Sequence, residues 1–415
     1  MLLNRRILVG VCGGIASYKA IELVSHLQQA GAIVDVILTK HAEDFIRPLT
    51  FATMSHRPAY TDLWEASGHA AEMHIELGER TELLALVPAT ANTLAKLAHG
   101  IADNMLTAVA LATKAPLLVA PAMHHNMYEH AATQANLAIL RERGVFVVEP
   151  VVGRLASGAT GIGRLPETEI LLGAIHMVLG RNGDLAGRHV IITAGGTQEP
   201  IDPVRYVGNR SSGKMGYALA EEARDRGARV TLISGPVALQ APYGVELQAA
   251  HTALHMRDAV HKAMAAADVL VMSAAVADYR SAAPAARKLK KGETQQDADD
   301  EGHLTLKLVQ NPDILGELAH EQLEDVHIPP HLVRVGFAAE TNDIMSNAQT
   351  KLVEKQLDML IANDVSRSDS GFGADTNKVF IFRADAPMED LPVMSKTDVA
   401  AVIWDRIVSL LGTRK

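Results

Sequence analysis

The apolar positions of this chain fall into short continuous runs separated by stretches with helical spacing. "RRILVGV" (5–11) is one such run and reads as a strand buried on both faces. After the turn "CGGIAS" (12–17), apolar residues of "YKAIELVSHLQQAG" (18–31) recur every three or four positions, the period of an amphipathic helix. "AIVDVILT" (32–39) is the next strand, and further strands are predicted at "LLALVPA" (83–89), "PLLVAPA" (116–122) and "VFVVEP" (145–150). Helices are predicted between them around Ala91–Leu97, Asn104–Thr113 and Asn126–Arg143. Strands alternating with helices predict a parallel sheet covered on both faces.

The pattern breaks at "GRNGDLAGR" (180–188), whose three glycines read as a linker over 181–187. It then restarts: "HVIITAGGT" (189–197) is a strand into a Gly turn, "KMGYALAEEARDRG" (214–227) a helix, "ARVTLIS" (228–234) a strand. The segments 23–39 and 218–234 both run helix, Gly, strand, hydroxyl residue. The expectation is an α/β chain of two doubly wound, three-layer Rossmann-like or flavodoxin-like domains, 1–180 and 188–415. Each would open a ligand crevice at its strands' carboxyl ends. The polar segment 289–303 reads as a solvated hairpin loop over Glu293–Glu301.

Composition narrows the classes. A chain of 415 residues exceeds one ordinary core, which agrees with two domains. A net charge of −9 argues against a sequence-independent grip on nucleic acid. The lone Cys12 allows no intrachain disulfide and no cysteine-based zinc site. The apolar run of "MLLNRRILVGV" is interrupted by Asn4, Arg5 and Arg6, too early for a membrane span or signal segment. A cytoplasmic, soluble protein is expected.

Candidate chemistry gathers at strand ends. Gly10, Gly13 and Gly14 follow the first strand, where glycine lets the backbone approach a ligand and a helix start favours an anion. Their spacing is not the dinucleotide fingerprint. Thr90, Asn92 and Thr93, with Asp103 and Asn104, offer polar groups to a heterocycle; the alternative is helix capping by Thr90, Asn92 and Asp103. His74 in "EMHIELGERTELLAL" (72–86) is placed on a strand face with Glu76 and Gly78, one of eighteen histidines.

In the second half, "NRSSGKMG" (209–216) supplies Asn209, Ser211, Ser212, Gly213 and Lys214, without the spacing of a Walker A loop. "SAAVADYR" (273–280) puts Asp278 at a strand end as a ribose or metal contact. Lys288, Lys290 and Lys291 form a basic cluster ahead of "NPDIL" (311–315). Lys351 and Lys355 share one helix face.

Taken in order, "GVCGGIASYK", "HIEL", "PATANTLAKLAHGIADNML" and "PAM" resemble the flavin-dependent decarboxylase of coenzyme A biosynthesis. The second half resembles the phosphopantothenate–cysteine ligase fused to it in bacteria. The resemblance implies FMN in the first domain, near Gly13, Gly14, Ile15, Thr39, Thr90, Asn92, Asp103 and Asn104, with His74 catalytic. It implies that the flavin oxidises the substrate thiol to a thioaldehyde, so that CO₂ leaves into an electron sink, and that the reduced flavin then returns the electrons. Two positions depart from the family. Ser157 in "ASGATGIGRLPE" (156–167) stands where a proton-donating Cys is usual, and His124 stands where a substrate-reading Asn is usual, with Asn126 behind it.

For the ligase, the resemblance implies that Asn209 contacts an acyl-nucleotide intermediate and that Lys288 is catalytic. Arg205, Ser211, Ser212 and Lys214 are assigned to substrate, and Ala274, Asp278, Asn311, Pro312, Asp313, Ile314, Phe337, Lys351 and Lys355 to the nucleotide. The implied substrates are CTP, 4′-phosphopantothenate and L-cysteine, with Mg²⁺ (or Mn²⁺) at Asp278. The implied assembly is a homo-oligomer of trimeric flavin domains and paired ligase domains. Three outcomes stay open for the first domain: decarboxylation to the saturated amine, release of an enethiol, or a non-catalytic flavin scaffold. CTP and ATP are likewise not separated by sequence.

Overall fold

The computed structural model describes residues 2–63, 72–290, 304–319, 328–340, 344–364, 373–384 and 386–413. The chain forms two compact units, Met1–Gly180 and Arg181–Lys415. Lys291 and the expected loop Glu293–Glu301 lie outside the described residues.

The first unit runs β1 (Arg6–Val11), α1 (Ser17–Gln29), β2 (Ile33–Leu38), α2 (Pro48–Ser55), β3 (Ala59–Tyr60), α3 (Met73–Arg80), β4 (Leu83–Ala89), α4 (Ala91–His99) and α5 (Met105–Ala112). It continues with β5 (Leu117–Pro121), α6 (His125–Tyr128), α7 (Ala131–Glu142), β6 (Phe146–Val147), a hairpin β7 (Val151–Arg154) and β8 (Thr160–Arg164), and α8 (Thr168–Gly180). The main sheet is parallel, in the order β3-β2-β1-β4-β5-β6. Its order reverses between β1 and β4, so a crevice opens outside their carboxyl ends. β4 is buried at every position, as expected for a strand with helices on both faces.

The sequence expectation for His74 needs correction. The segment 73–80 is a helix, not a strand. Alternation in "HIEL" is too short to distinguish the two periods. Gly78 has a packing reason: a Cβ there would sit 3.2 Å from Thr113 N and 3.3 Å from Ala112 Cβ, so α3 meets α5 closely. The far end of α3 is anchored by Arg80, which pairs at 3.0 Å with Asp35, a buried carboxylate on β2. Arg57 completes that pairing at 2.7 Å.

The second unit runs β9 (His189–Ala194), β10 (Gln198–Pro200), β11 (Tyr206–Gly208), α9 (Lys214–Asp225), β12 (Arg229–Ser234), β13 (Glu246–Ala249), α10 (Ala253–Met264), β14 (Val269–Met272) and β15 (Tyr279–Ser281). Then come β16 (Leu308–Gln310), α11 (Ile314–Ala319), β17 (Val333–Glu340), α12 (Ile344–Glu354), β18 (Met359–Asp364), β19 (Thr376–Asn377), β20 (Val379–Arg383), β21 (Ala386–Asp390), β22 (Met394–Ser395) and α13 (Lys396–Thr413). The eight-stranded sheet has the order β13-β12-β9-β14-β17-β18-β20-β21. It is parallel from β13 to β18, and β20 and β21 are antiparallel additions. β15 and β16 pair antiparallel and flank the polar segment. In the core, α13 packs on α9, and buried Trp404 donates to Leu219 O at 2.9 Å.

The linker reading of 181–187 also changes. Leu185 is fully buried in the core of the second unit, and its N–H donates to Arg226 O at 3.0 Å. One apolar residue among glycines and polar residues gives no periodic signal, so its burial is invisible in sequence.

A buried imidazole gives the second unit a pH dependence. Burial holds His189 below the ordinary histidine range. Its Nδ1 donates to Ala266 O at 3.1 Å, and Nε2 lies 3.0 Å from Thr231 Oγ1. The unfolded chain therefore takes up a proton near pH 6.5 that the folded chain still refuses. The stabilisation is full above about 6.5 and is lost as pH falls below it. The unfolding midpoint of this unit is expected to drop between pH 7 and pH 5, with His189→Gln flattening the slope. Calorimetry showing parallel slopes for the two proteins would refute this.

Candidate active sites

In the first unit, the turn after β1 is held by Ser17, whose hydroxyl donates to Cys12 O at 2.9 Å and to Gly14 O at 2.6 Å. Gly13 is obligatory, because a Cβ would lie 2.6 Å from the backbone of His41. At Gly14 a Cβ would meet nothing within 4 Å, so the backbone faces open space. Ile15 beside it is 63% exposed, an apolar surface at the mouth of the crevice. Thr39 follows β2 and donates its N–H to Val11 O at 3.0 Å, next to the same turn.

Thr90 follows β4 and caps α4, accepting from Thr93 N at 3.4 Å. Asn104, not Asn92 or Asp103, is the second cap: its side chain and that of Thr107 form a reciprocal capping box on α5. Asp103 is paired with Lys96 at 2.7 Å, which holds its carboxyl below the usual range. Asn92 is exposed in the first turn of α4. The capping alternative therefore applies to Thr90 and Asn104, while Asn92 keeps its side chain available. Cys12 is buried, burial pushes its thiol pKa up, and its Sγ donates to Thr93 Oγ1 at 3.2 Å, so it is a packed, protonated thiol.

His124 and Asn126 follow β5. His124 caps the short α6, accepting from Asn126 N at 3.3 Å through Nδ1, and its ring lies 4.1 Å from that of His125. The β7–β8 hairpin is fastened here: Met123 N donates to Gly163 O at 3.0 Å, and a Cβ on Gly163 would overlap Met123 O. Ser157 sits at the exposed hairpin tip, where its Oγ accepts from Ala159 N at 3.4 Å. The hairpin's exit is tied to α1 by buried Lys19, which donates to Leu165 O and pairs with Glu167 at 2.7 Å.

In the second unit a cleft of about 600 Å³ opens at the carboxyl ends of β14, β17 and β18 and at the start of α9. Asn209, Ser211, Ser212 and Lys214 form one wall, and Ala274 and Asp278 the floor. Asn311, Pro312, Asp313 and Ile314 face them, with Phe337, Lys351 and Lys355 beyond. Gly216 lets α9 approach: a Cβ would lie 2.6 Å from Ala194 Cβ and 2.7 Å from Ser273 Oγ.

The family models match in the same arrangement. A flavoprotein model covers residues 1–180, and a model for the C-terminal domain of DNA/pantothenate metabolism flavoproteins covers 185–411. The bifunctional coenzyme A biosynthesis protein CoaBC of Bacillus subtilis is 45% identical over 413 residues, 99% of this chain and 98% of that one. Its counterpart in Escherichia coli K12 is 43% identical over 410 residues, 98% of each. The chain belongs to the CoaBC family. Among solved structures, a C-terminal domain of a CoaBC protein is 35% identical, covering 56% of this chain and 99% of that chain at a TM-score of 0.45.

Several candidate side chains of the cleft already have protein partners. Asn209 donates to Ala275 O at 3.3 Å and Val276 O at 3.2 Å, tying the α9 approach to the loop after β14. Asn311 is buried and spent on the protein: Nδ2 donates to Ala277 O at 2.8 Å, and Oδ1 accepts from Arg280 at 3.0 Å. It fastens the 311–315 loop to the segment after β14. Asp313 accepts from Lys355 at 3.1 Å and from Gly316 N at 3.1 Å.

Arg205 and Lys288 do not line the cleft. Arg205 grips Asp202 at 2.5 Å and donates to Leu289 O at 2.8 Å, while Leu289 N donates to Asp202 at 3.2 Å. Arg205 holds the Asp202 carboxyl well below the usual range. Lys288 is exposed on the residue preceding this clamp. Sequence reasoning gave no functional role to Lys396, Asn377, Gly373 or Asn363. All four line the cleft. Polar residues just before a strand or helix look like ordinary turn punctuation, so no signal marks them.

Proposed function

We propose that the second unit joins 4′-phosphopantothenate to L-cysteine at the expense of CTP, and that the first unit decarboxylates the product with FMN to 4′-phosphopantetheine. The observation that carries the ligase reading is the cleft itself. It combines a helix start with two hydroxyls, an open carboxylate at Asp278, a proline-fixed loop and a set of lysines. A carboxylate is a poor electrophile. Its oxygen attacks the α-phosphorus, pyrophosphate leaves, and the cysteine amine then attacks the acyl carbon and expels the nucleoside monophosphate. Cationic groups aimed at these phosphates lower both barriers.

Asp278 is the candidate for a Mg²⁺ held mainly by the phosphates. Among the described residues no group of three His, Cys, Asp or Glu forms a metal cage, which suits a cation that arrives with its nucleotide. Lys288 is the candidate for the acyl transfer, and Asn209 for orienting its acyl group.

In the first unit the residues fit a flavin. The open space over Gly14, the exposed Ile15 and the uncapped start of α1 suit a ring and a phosphate at one turn. Bound there, FMN supplies the electron sink for decarboxylation. His74 is the candidate proton relay, and His124 and Asn126 the candidates for the substrate carboxylate. Ser157 is too weak an acid to inherit a thiol's role, which favours a second reading: release of the enethiol. The described residues contain no helix long and apolar enough to cross a membrane.

The test is to purify the chain, record flavin absorbance, and feed it 4′-phosphopantothenate and cysteine with CTP or ATP. Pyrophosphate release with CTP and a product mass of the saturated amine are expected. The enethiol mass would select the second reading, and no CO₂ loss would leave only the ligase.

A further inference from the structure

The turn between β10 and β11, residues 201–205, holds a carboxylate that the reaction above leaves without a role. Asp202 is 3% exposed. Its Oδ1 accepts from Val204 N and Arg205 N, both at 2.8 Å, which closes the turn on itself. Those two bonds suffice for an ordinary turn. Oδ2 reaches further. It accepts from Arg205 Nε at 2.9 Å and Nη2 at 2.5 Å and, across 87 residues of sequence, from Leu289 N at 3.2 Å. Arg205 Nη2 donates in turn to Leu289 O at 2.8 Å. One side-chain pair thus engages both backbone groups of a single residue, as a neighbouring strand does in a ladder.

The segment gripped in this way has no regular structure to hold it. Residues 282–290 follow β15 without a helix or strand of their own, and Lys288 among them is exposed. Their backbone is fastened to the same turn on either side of Lys288: Ala285 N donates to Ile201 O at 2.9 Å, and Leu289 is held by Asp202 and Arg205. The turn is itself anchored to the end of the sheet. Buried Glu199 on β10 accepts from Ala253 N, at the start of α10, at 2.8 Å. Gln198 N donates to His251 O at 2.8 Å, and Thr197 Oγ1 accepts from Ala277 N at 2.9 Å. The second strand of the hairpin, β11, ends at Gly208 and delivers Asn209 to the cleft. One anchored hairpin therefore carries Asn209 and fixes the root of Lys288. An apolar side chain at position 202 could fill the same space, but it could neither orient Arg205 nor accept from Leu289.

We propose that Asp202 is a positioning residue for the acyl transfer: through Arg205 and Leu289 it sets where the Lys288 side chain stands relative to Asn209. This rests on the reading of Lys288 as the group that serves that transfer.

The test is a double-mutant cycle on the full chain, read as cysteine-dependent pyrophosphate release from CTP. Asp202→Asn keeps an oxygen for the two N–H groups of the turn, and removes the charge that holds Arg205 and the acceptor for Leu289. Leu289→Pro leaves Asp202 and Arg205 paired and deletes the Leu289 N–H, so it cuts the link without touching the turn. Each is expected to lower kcat about ten- to a hundredfold, the loss for a reacting group misplaced by roughly 1 Å, with KM for CTP within about twofold of the parent. In a Lys288→Gln background both changes should cost less than about twofold more, because the residue they position is already gone. Without any ligand, trypsin should cut Asp202→Asn after Arg287, Lys288 and Lys290 several times faster than the parent. Lys288→Gln at the parent rate would end the Lys288 reading and this inference with it. An inactive Lys288→Gln beside fully active Asp202→Asn and Leu289→Pro, or undiminished losses in the Lys288→Gln background, would overturn the positioning role alone.

Discussion

Lys288→Gln is expected to lower cysteine-dependent pyrophosphate release by about 10²- to 10³-fold, the usual loss when one positioned donor to developing charge is removed. The argument is positional. Lys288 precedes Leu289, whose N–H and C=O are both held by the Asp202–Arg205 pair. The segment therefore has a fixed root, and the Lys288 side chain beside it is exposed. Since the side chain is exposed, the change should leave stability within about 0.5 kcal/mol. Hydrolysis of CTP measured with and without cysteine, beside a thermal melt, decides it. A loss below tenfold at unchanged CTP affinity would remove Lys288 from the reaction.

His74→Asn is expected to lower CO₂ release by about 10²- to 10⁴-fold, the range for a positioned general acid or base. The yellow absorbance and the ligase rate should stay as in the parent. His74 lies in the first turn of α3, and the last residue of that helix is locked to Asp35. The carboxyl-terminal half of the helix is held twice: Gly78 O accepts from Thr113 Oγ1 at 2.7 Å, and Arg80 pairs with Asp35 and Glu76. A substitution at His74 should change chemistry without releasing the helix. Loss of flavin together with activity would mean that the residue serves binding instead.

Much of the architecture was readable because parallel strands buried on both faces are unbroken apolar runs. β1, β2, β4, β5, β9 and β12 all answer to that rule. The short segment around His74 was not, since four residues of alternation fit either period, and packing of Gly78 on α5 decided for a helix. Leu185 was not, because isolated apolar residues carry no period. Candidates such as Asp278 and Thr90 came from the rule that ligands sit at the carboxyl ends of parallel strands; Thr90 follows β4 as the cap of α4, and Asp278 lines the cleft beyond β14. Asn311 was placed correctly, but its role was not visible, because only the contacts to Ala277 and Arg280 show that its amide is already engaged.

The reversed direction of one late strand has its own effect. β20 runs against β18, with Val379 beside Asn363, so its beginning lies where the parallel strands end. The residues just ahead of it, Gly373 and Asn377 among them, therefore lie along the cleft. A chain stopped before this point would lose one side of the cleft together with α13, whose Trp404 belongs to the core on which α9 packs. The last tenth of the polypeptide is thus as much a part of the catalytic vessel as the motifs that announce it.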